Sequence, residues 1–269
     1  MPAAVPNHWP ARLENTAAAG RMIIVCEHAS NDFPAPFGDL GLTPAQRLAH
    51  IAWDPGALGL ARGLAARLGA VLVACEVSRL IHDCNRPPDS PGAMPPRSEI
   101  HDIPGNRALT PAARLARVMA VYHPFHTALR AEVLRRITLG LNPVLVTIHS
   151  FTPVYHGQPR AVEFGVIHDA DPTLAHAVLQ AARALPLVTR LNEPYAAADQ
   201  VTHTLRLHAT PYGLPGVMLE VRNDLIASPA AEAAMADRLA PVLAAALAMT
   251  DPLTDPLPGA SAPRQPRTG

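Results

Sequence analysis

The chain reads as a three-layer α/β/α sandwich around a mostly parallel mixed sheet. Three observations predict it. Apolar runs of strand length are continuous rather than alternating, the pattern of strands covered on both faces. Helical segments separate those runs, as crossover connections require. Polar residues gather where the runs end, at the rim where open α/β sheets bind ligands.

The first run is "RMIIVCEH", residues 21–28. "DPGALGLARGLAARLG" follows as a helix, with Asp54 in N-cap position, Pro55 as first helical residue and Gly69 at the end. "AVLVACEVS" (70–78) is the second strand. Residues 85–106 are dense in proline and too long for a simple connector, so they read as a functional loop. Residues 110–140 form a long helical stretch, broken or kinked near Pro124. "PVLVTIHSF" (143–151) is the third strand. "AVEFGVIHD" (161–169) and the proline-bearing "LPLVTRLNEPY" (185–195) supply a fifth and sixth, around a helix over 171–185 opened by Asp171 and Pro172. "PGVMLEVRND" (215–224) is the fourth continuous run, and 228–250 the last helix. Residues 1–250 read as one domain, and the Pro-rich 251–269 as a disordered tail.

The 269 residues allow one large core. Net charge is zero, with no lysine among the 22 basic residues, so neither a nucleic-acid partner nor a lysine-dependent mechanism is indicated. All-arginine usage with abundant Ala and Pro fits GC-rich bacterial coding. Cys26, Cys75 and Cys84 lack CxxC spacing, which argues against a disulfide framework or a cysteine metal site. No signal peptide or membrane-spanning run stands out, and a cytoplasmic location is expected. Oligomeric state is left open.

Glu27 and His28 end the first run. Arg79, His82, Asp83, Asn85 and Arg86 follow the second, His149 ends the third, and Glu220, Arg222, Asn223 and Asp224 the fourth. Two imidazoles and a carboxylate with an open position make a catalytic zinc site. His28 and His149 supply the imidazoles. Asp54 is preferred as third ligand because its helix leads away from the first strand; Glu27, Asn31 and Asp32 stay as alternatives. Glu220, behind "GVML", is placed as the base acting on water. Arg86 offers a planar fork to a substrate carboxylate, Asn85 a directional contact beside it, and Arg79 and Arg222 further cations. His203 is a candidate for steadying a developing oxyanion. His123 and His126 read as half-exposed helix residues, Tyr195 as a pocket wall, and "FTPVYHGQPR" as an active-site loop.

The ordered set "CEHASNDFP", "AWDPGA", "VSRLIHDCNRP", "YHPFH", "TIHSFTP", "NEPY" and "GLPGVMLEVRNDLI" resembles the N-formylglutamate amidohydrolase family over about residues 22–230. The resemblance implies hydrolysis of N-formyl-L-glutamate to formate and glutamate, in histidine degradation, on a zinc exopeptidase-like fold. Cell-wall amidases share the series carried here by His28, Asp54, His149 and Glu220. Zinc carboxypeptidases pair Asn with Arg as Asn85 and Arg86 stand. One departure bears on substrate: this chain has "EHAS" where the best-known formylglutamate enzymes have "PHSG". Another N-acyl amino acid or a peptidoglycan fragment is therefore the alternative substrate. A non-catalytic anion-binding module is the alternative of another class.

Overall fold

The four continuous apolar runs form the centre of a seven-stranded sheet. A computed structural model describes residue 9 and residues 11–250; the expected tail, 251–269, lies outside the described residues. In chain order the strands are β1 (Arg12–Glu14), β2 (Met22–Cys26), β3 (Val71–Ala74), β4 (Arg97–Ser98), β5 (His101–Asp102), β6 (Val144–Phe151), β7 (Val154–Tyr155), β8 (Gln158–Pro159), β9 (Phe164–Ile167), β10 (Thr189–Leu191) and β11 (Gly216–Arg222). β4–β5 and β7–β8 are separate hairpins, and the other seven form one sheet in the order β1-β3-β2-β6-β11-β9-β10. β3, β2, β6 and β11 run parallel. β9 lies antiparallel to β11 and parallel to β10, and β1 lies antiparallel to β3. The mixed sheet matches the sequence expectation. β1 was not anticipated, because an edge strand of three residues with one apolar side chain leaves no periodic signal.

Helices α1 (Pro44–Leu48), α2 (Ala57–Leu68), α3 (Pro111–Arg117), α4 (His123–Thr138), α5 (Thr173–Ala181), α6 (His203–His208) and α7 (Pro229–Thr250) cover both faces. Alternation along each strand splits the core in two. Val217, Leu219 and Val221 of β11 join Ile24 and Val146 in the core that includes Leu60, Val178 and Leu239 of α2, α5 and α7. Met218, Ile23 and Leu145 point the other way, into the core of Phe125, Leu129 and Val133 from α4 and Leu205 from α6. Each fully buried large apolar side chain contributes about 1.5–3 kcal/mol relative to exposure. α7 is long and apolar enough to cross a membrane by composition, yet it buries Met235, Leu239 and Leu243 against the sheet.

Two local departures follow from backbone sterics. The expected helix over 110–140 is divided by a π-helical turn, Val118–Tyr122, directly before Pro124. Pro124 lacks an N–H and its ring crowds the carbonyl four residues back, so the turn widens there. The second departure corrects Asp54 as N-cap and Pro55 as first helical residue. α2 begins at Ala57 behind Gly56, which is left-handed at φ +80° and makes no side-chain cap. A Cβ on Gly56 would collide with the Ile226 carbonyl. The Asp54 carboxylate is thereby released from the helix and turned to the rim.

Candidate active site

The carboxyl ends of β2, β6 and β11 meet at one point. His28 stands two residues beyond β2. The Asp54 amide donates to the His28 carbonyl at 3.0 Å, which brings the segment before α2 alongside it. His149 of β6 is in direct register with Glu220 of β11. Three donor atoms converge: His28 Nδ1 and His149 Nδ1 are 3.2 Å apart, and Asp54 Oδ2 lies 3.2 Å from the first and 3.0 Å from the second. Tetrahedral ligands on an ion with bonds of about 2.0–2.1 Å stand roughly 3.3 Å apart, so this triangle has the dimensions of a ligand set. These three residues are also the group of His and acid ligands that meets within 4.8 Å among the described residues.

The outer ring nitrogens face carboxylates. His28 Nε2 is 2.8 Å from Asp83 Oδ1, and His149 Nε2 is 3.2 Å from Glu27 Oε2. The Asp83 carboxylate, hydrogen-bonded to His28 Nε2, fixes which nitrogen of that ring points inward and raises its basicity as a ligand, whereas Glu27 meets His149 as a charge contact without hydrogen-bond alignment. Glu27 therefore sits behind His149 rather than at the centre. Asn31 donates to the Arg47 carbonyl, and Asp32 is exposed.

Charge explains why this cluster suits a cation. Glu27, His28, Asp54, Asp83, His149 and Glu220 are each at most 3% exposed. Burial alone would raise Asp54, but His28, His149 and Arg79 hold it well below the carboxylate range. Asp83 and Glu27 are also held low against burial, Asp83 chiefly by His28 and Arg79, Glu27 chiefly by His149. Against burial, Glu27 and Asp54 hold the His149 imidazolium well above its usual value. Three carboxylates held in the ionised form thus surround the two imidazoles, Asp54 on the inward side and Asp83 and Glu27 behind, a setting that suits a bound cation. Glu220 differs. Burial, opposed by His149 and reinforced by Asp54, raises it to about 7, and its Oε2 has no hydrogen-bond partner. A carboxyl titrating near neutrality is matched to proton transfer in both directions.

A cavity of about 590 Å³ opens over this group, within the range of small-molecule sites. Its lining includes Arg79, Arg86 and Tyr195, with Tyr155 and Arg160 from the "FTPVYHGQPR" loop, and also His50, which the sequence did not single out. Arg79 donates to Asp54 Oδ1 at 3.2 Å and Asp83 Oδ2 at 2.9 Å, so its guanidinium steadies the carboxylates rather than waiting for substrate. Asn85 lines the cavity, but its carboxamide donates to the Val201 carbonyl and accepts from the Thr204 amide. These bonds anchor the loop that carries Arg86. Arg222 is corrected: it bonds Asp224, Glu163 and the Arg160 carbonyl, away from the cavity lining. His203 is likewise outside that lining, its Nε2 2.8 Å from Tyr122 Oη. His126 is buried against His208 and the Cys84 carbonyl, not half-exposed.

The pairings of Asp83 and Glu27, and the place of His50 3.5 Å from Asp54, were not read from sequence. Asp83 stood among the rim residues there without a role. Arg160 had a usable signal: it closes the loop that follows His149.

A family model described as N-formylglutamate amidohydrolase matches residues 20–227. No curated protein matches the chain. Among solved structures, a gene product of Agrobacterium tumefaciens shares 50% identity, covering 90% of this chain and 96% of its own, with a TM-score of 0.88. An N-formylglutamate amidohydrolase from Ralstonia eutropha JMP134 shares the fold at 19% identity, covering 88% of this chain and 97% of its own, with a TM-score of 0.64.

Proposed function

The chain belongs to the N-formylglutamate amidohydrolase family, and we propose that it is a zinc-dependent member hydrolysing the amide of a small N-acylated, carboxylate-bearing amino acid, with N-formyl-L-glutamate as first candidate. The observation that supports this most is the triangle of His28 Nδ1, His149 Nδ1 and Asp54 Oδ2 with the unpartnered Glu220 carboxyl in register beside it. A zinc ion held there supplies a lowered water pKa and polarisation of the acyl oxygen.

The remaining work falls to the chain itself. Asp83 keeps the His28 imidazole turned inward, and Glu27 sets a negative charge behind His149. Arg79 holds Asp54 and Asp83 in place. Glu220 takes a proton from the attacking water as the water oxygen bonds the acyl carbon. It returns that proton to the amide nitrogen as the C–N bond breaks, leaving formate and the free amino acid when the acyl group is formyl. Arg86 receives a substrate carboxylate. Its Nη1 bonds the Asn85 and Gln200 carbonyls at 3.0 and 2.8 Å, which fixes the fork without neutralising it.

Metal content and hydrolysis of N-formyl, N-acetyl and N-carbamoyl amino acids, each with and without chelator, test the reading. About one zinc per chain and chelator-sensitive release of glutamate from N-formyl-L-glutamate, restored by zinc, are expected. Hydrolysis that persists in metal-free protein would overturn the metal assignment; no hydrolysis of any acyl amino acid by zinc-loaded protein would overturn the reaction.

A further inference from the structure

Arg160 is built into the cavity in an unusual way. Its guanidinium carbon lies 4.3 Å from the Tyr155 ring centroid, 5.2 Å from Tyr195 and 5.5 Å from Phe151. Nη2 donates to Tyr195 Oη at 3.1 Å and Nη1 to the Thr152 carbonyl at 3.5 Å. The backbone is pinned too: its amide donates to the Pro153 carbonyl, closing the β7–β8 hairpin, and its carbonyl accepts from Arg222. Among the described residues, no carboxylate pairs with Arg160 or with Arg86. The other arginine of the cavity, Arg79, has two.

Aromatic faces hold a guanidinium without cancelling its charge, and they keep its edge free for a planar anion. A fixed, half-buried cation with no acidic partner, at the edge of a cavity, is a preorganised anion site. Arg86 lines the same cavity from the loop after β3, three residues after Asp83, the partner of His28. Arg160 enters from a different connection, between β8 and β9. Resting on the hydrolase reading above, we propose that Arg160 selects a second negative charge on the substrate. Arg86 takes the α-carboxylate and Arg160 the side-chain carboxylate of an N-acylated acidic amino acid. The cavity then distinguishes acidic from neutral side chains of equal size.

Binding separates this role from catalysis. Calorimetric dissociation constants for L-glutamate and L-glutamine are compared in the zinc-loaded wild type, R160Q, R160K and R86Q. The wild type should prefer glutamate. R160Q should weaken glutamate on the order of 30-fold, the scale of a charge-assisted pair, and glutamine less than about threefold. R160K should keep part of the preference, and R86Q should weaken both ligands. Equal losses for both ligands in R160Q, or a wild type without preference, overturns the assignment. A wild type that prefers glutamate yet hydrolyses no acyl amino acid would end the hydrolase reading and leave the role of Arg160 standing.

Discussion

Replacing Asp83 by Asn probes the layer behind the metal ligands. Asp83 Oδ1 lies 2.8 Å from His28 Nε2 and accepts from the Asn85 amide at the same distance, while Oδ2 receives Arg79 at 2.9 Å. Asparagine keeps an acceptor at Oδ1, so the contacts to His28 and Asn85 survive in shape. Two electrostatic effects follow from the lost charge. His28 becomes a poorer donor, because no carboxylate supports its outer N–H. Arg79, deprived of one of its two carboxylates, leans on Asp54 alone and competes there with a bound cation. Loss of such an outer partner weakens metal binding about 10–100-fold, roughly 1.4–2.8 kcal/mol. A zinc competition titration against a chromophoric chelator at pH 7 measures it, with thermal melting to verify the fold. A folded D83N protein binding zinc within twofold of wild type would refute the idea that Asp83 orients His28.

Glu220→Gln should retain zinc and lose about 10²–10⁴-fold in kcat; near-normal turnover in the zinc-loaded variant would end its role as base. Stability should fall with acid through the histidines behind the site. Burial holds His82 and His208 down to about 4 from an ordinary 6.5. Between those values the unfolded chain binds protons that the folded one refuses. Their contribution is complete above pH 6.5 and is lost progressively as pH falls toward 4, by about 2 kcal/mol per histidine between 6.5 and 5. Urea melts at pH 7 and pH 5 should therefore show a smaller acid loss for His208→Gln than for wild type, and an equal loss would contradict the assignment. Gly56→Ala should lower stability by more than about 2 kcal/mol, since it combines positive φ with a collision against the Ile226 carbonyl; a melting temperature within a degree of wild type would show that the turn relaxes freely.

Much of the fold was legible because strands covered on both faces cannot alternate, and their continuous apolar runs survive in the chain as "MIIVC", "VLVA", "VLVTI" and "GVMLEV". The convergence of His28, His149 and Glu220 was legible for a related reason: parallel strands put their carboxyl ends on one rim. Asp54 shows where sequence grammar stops. Asp-Pro before an apolar stretch is helix-start chemistry, and only the left-handed turn at Gly56 moves the helix start to Ala57 and frees the carboxylate. The errors at Arg222 and His203 share one cause. Period-two and helical spacing fix the side of an element on which a residue stands, but not which neighbour wins its charge. Asp224 and Glu163 win Arg222, and Tyr122 wins His203. The same competition explains the arginine that the sequence did not single out. Arg79 and Arg222 each found carboxylates inside the fold, whereas Arg160 found three aromatic rings and kept its charge. In a chain with as many acidic as basic residues, an arginine left without an acid among the described residues, at the wall of a cavity, fits the proposal that its anion belongs to the substrate.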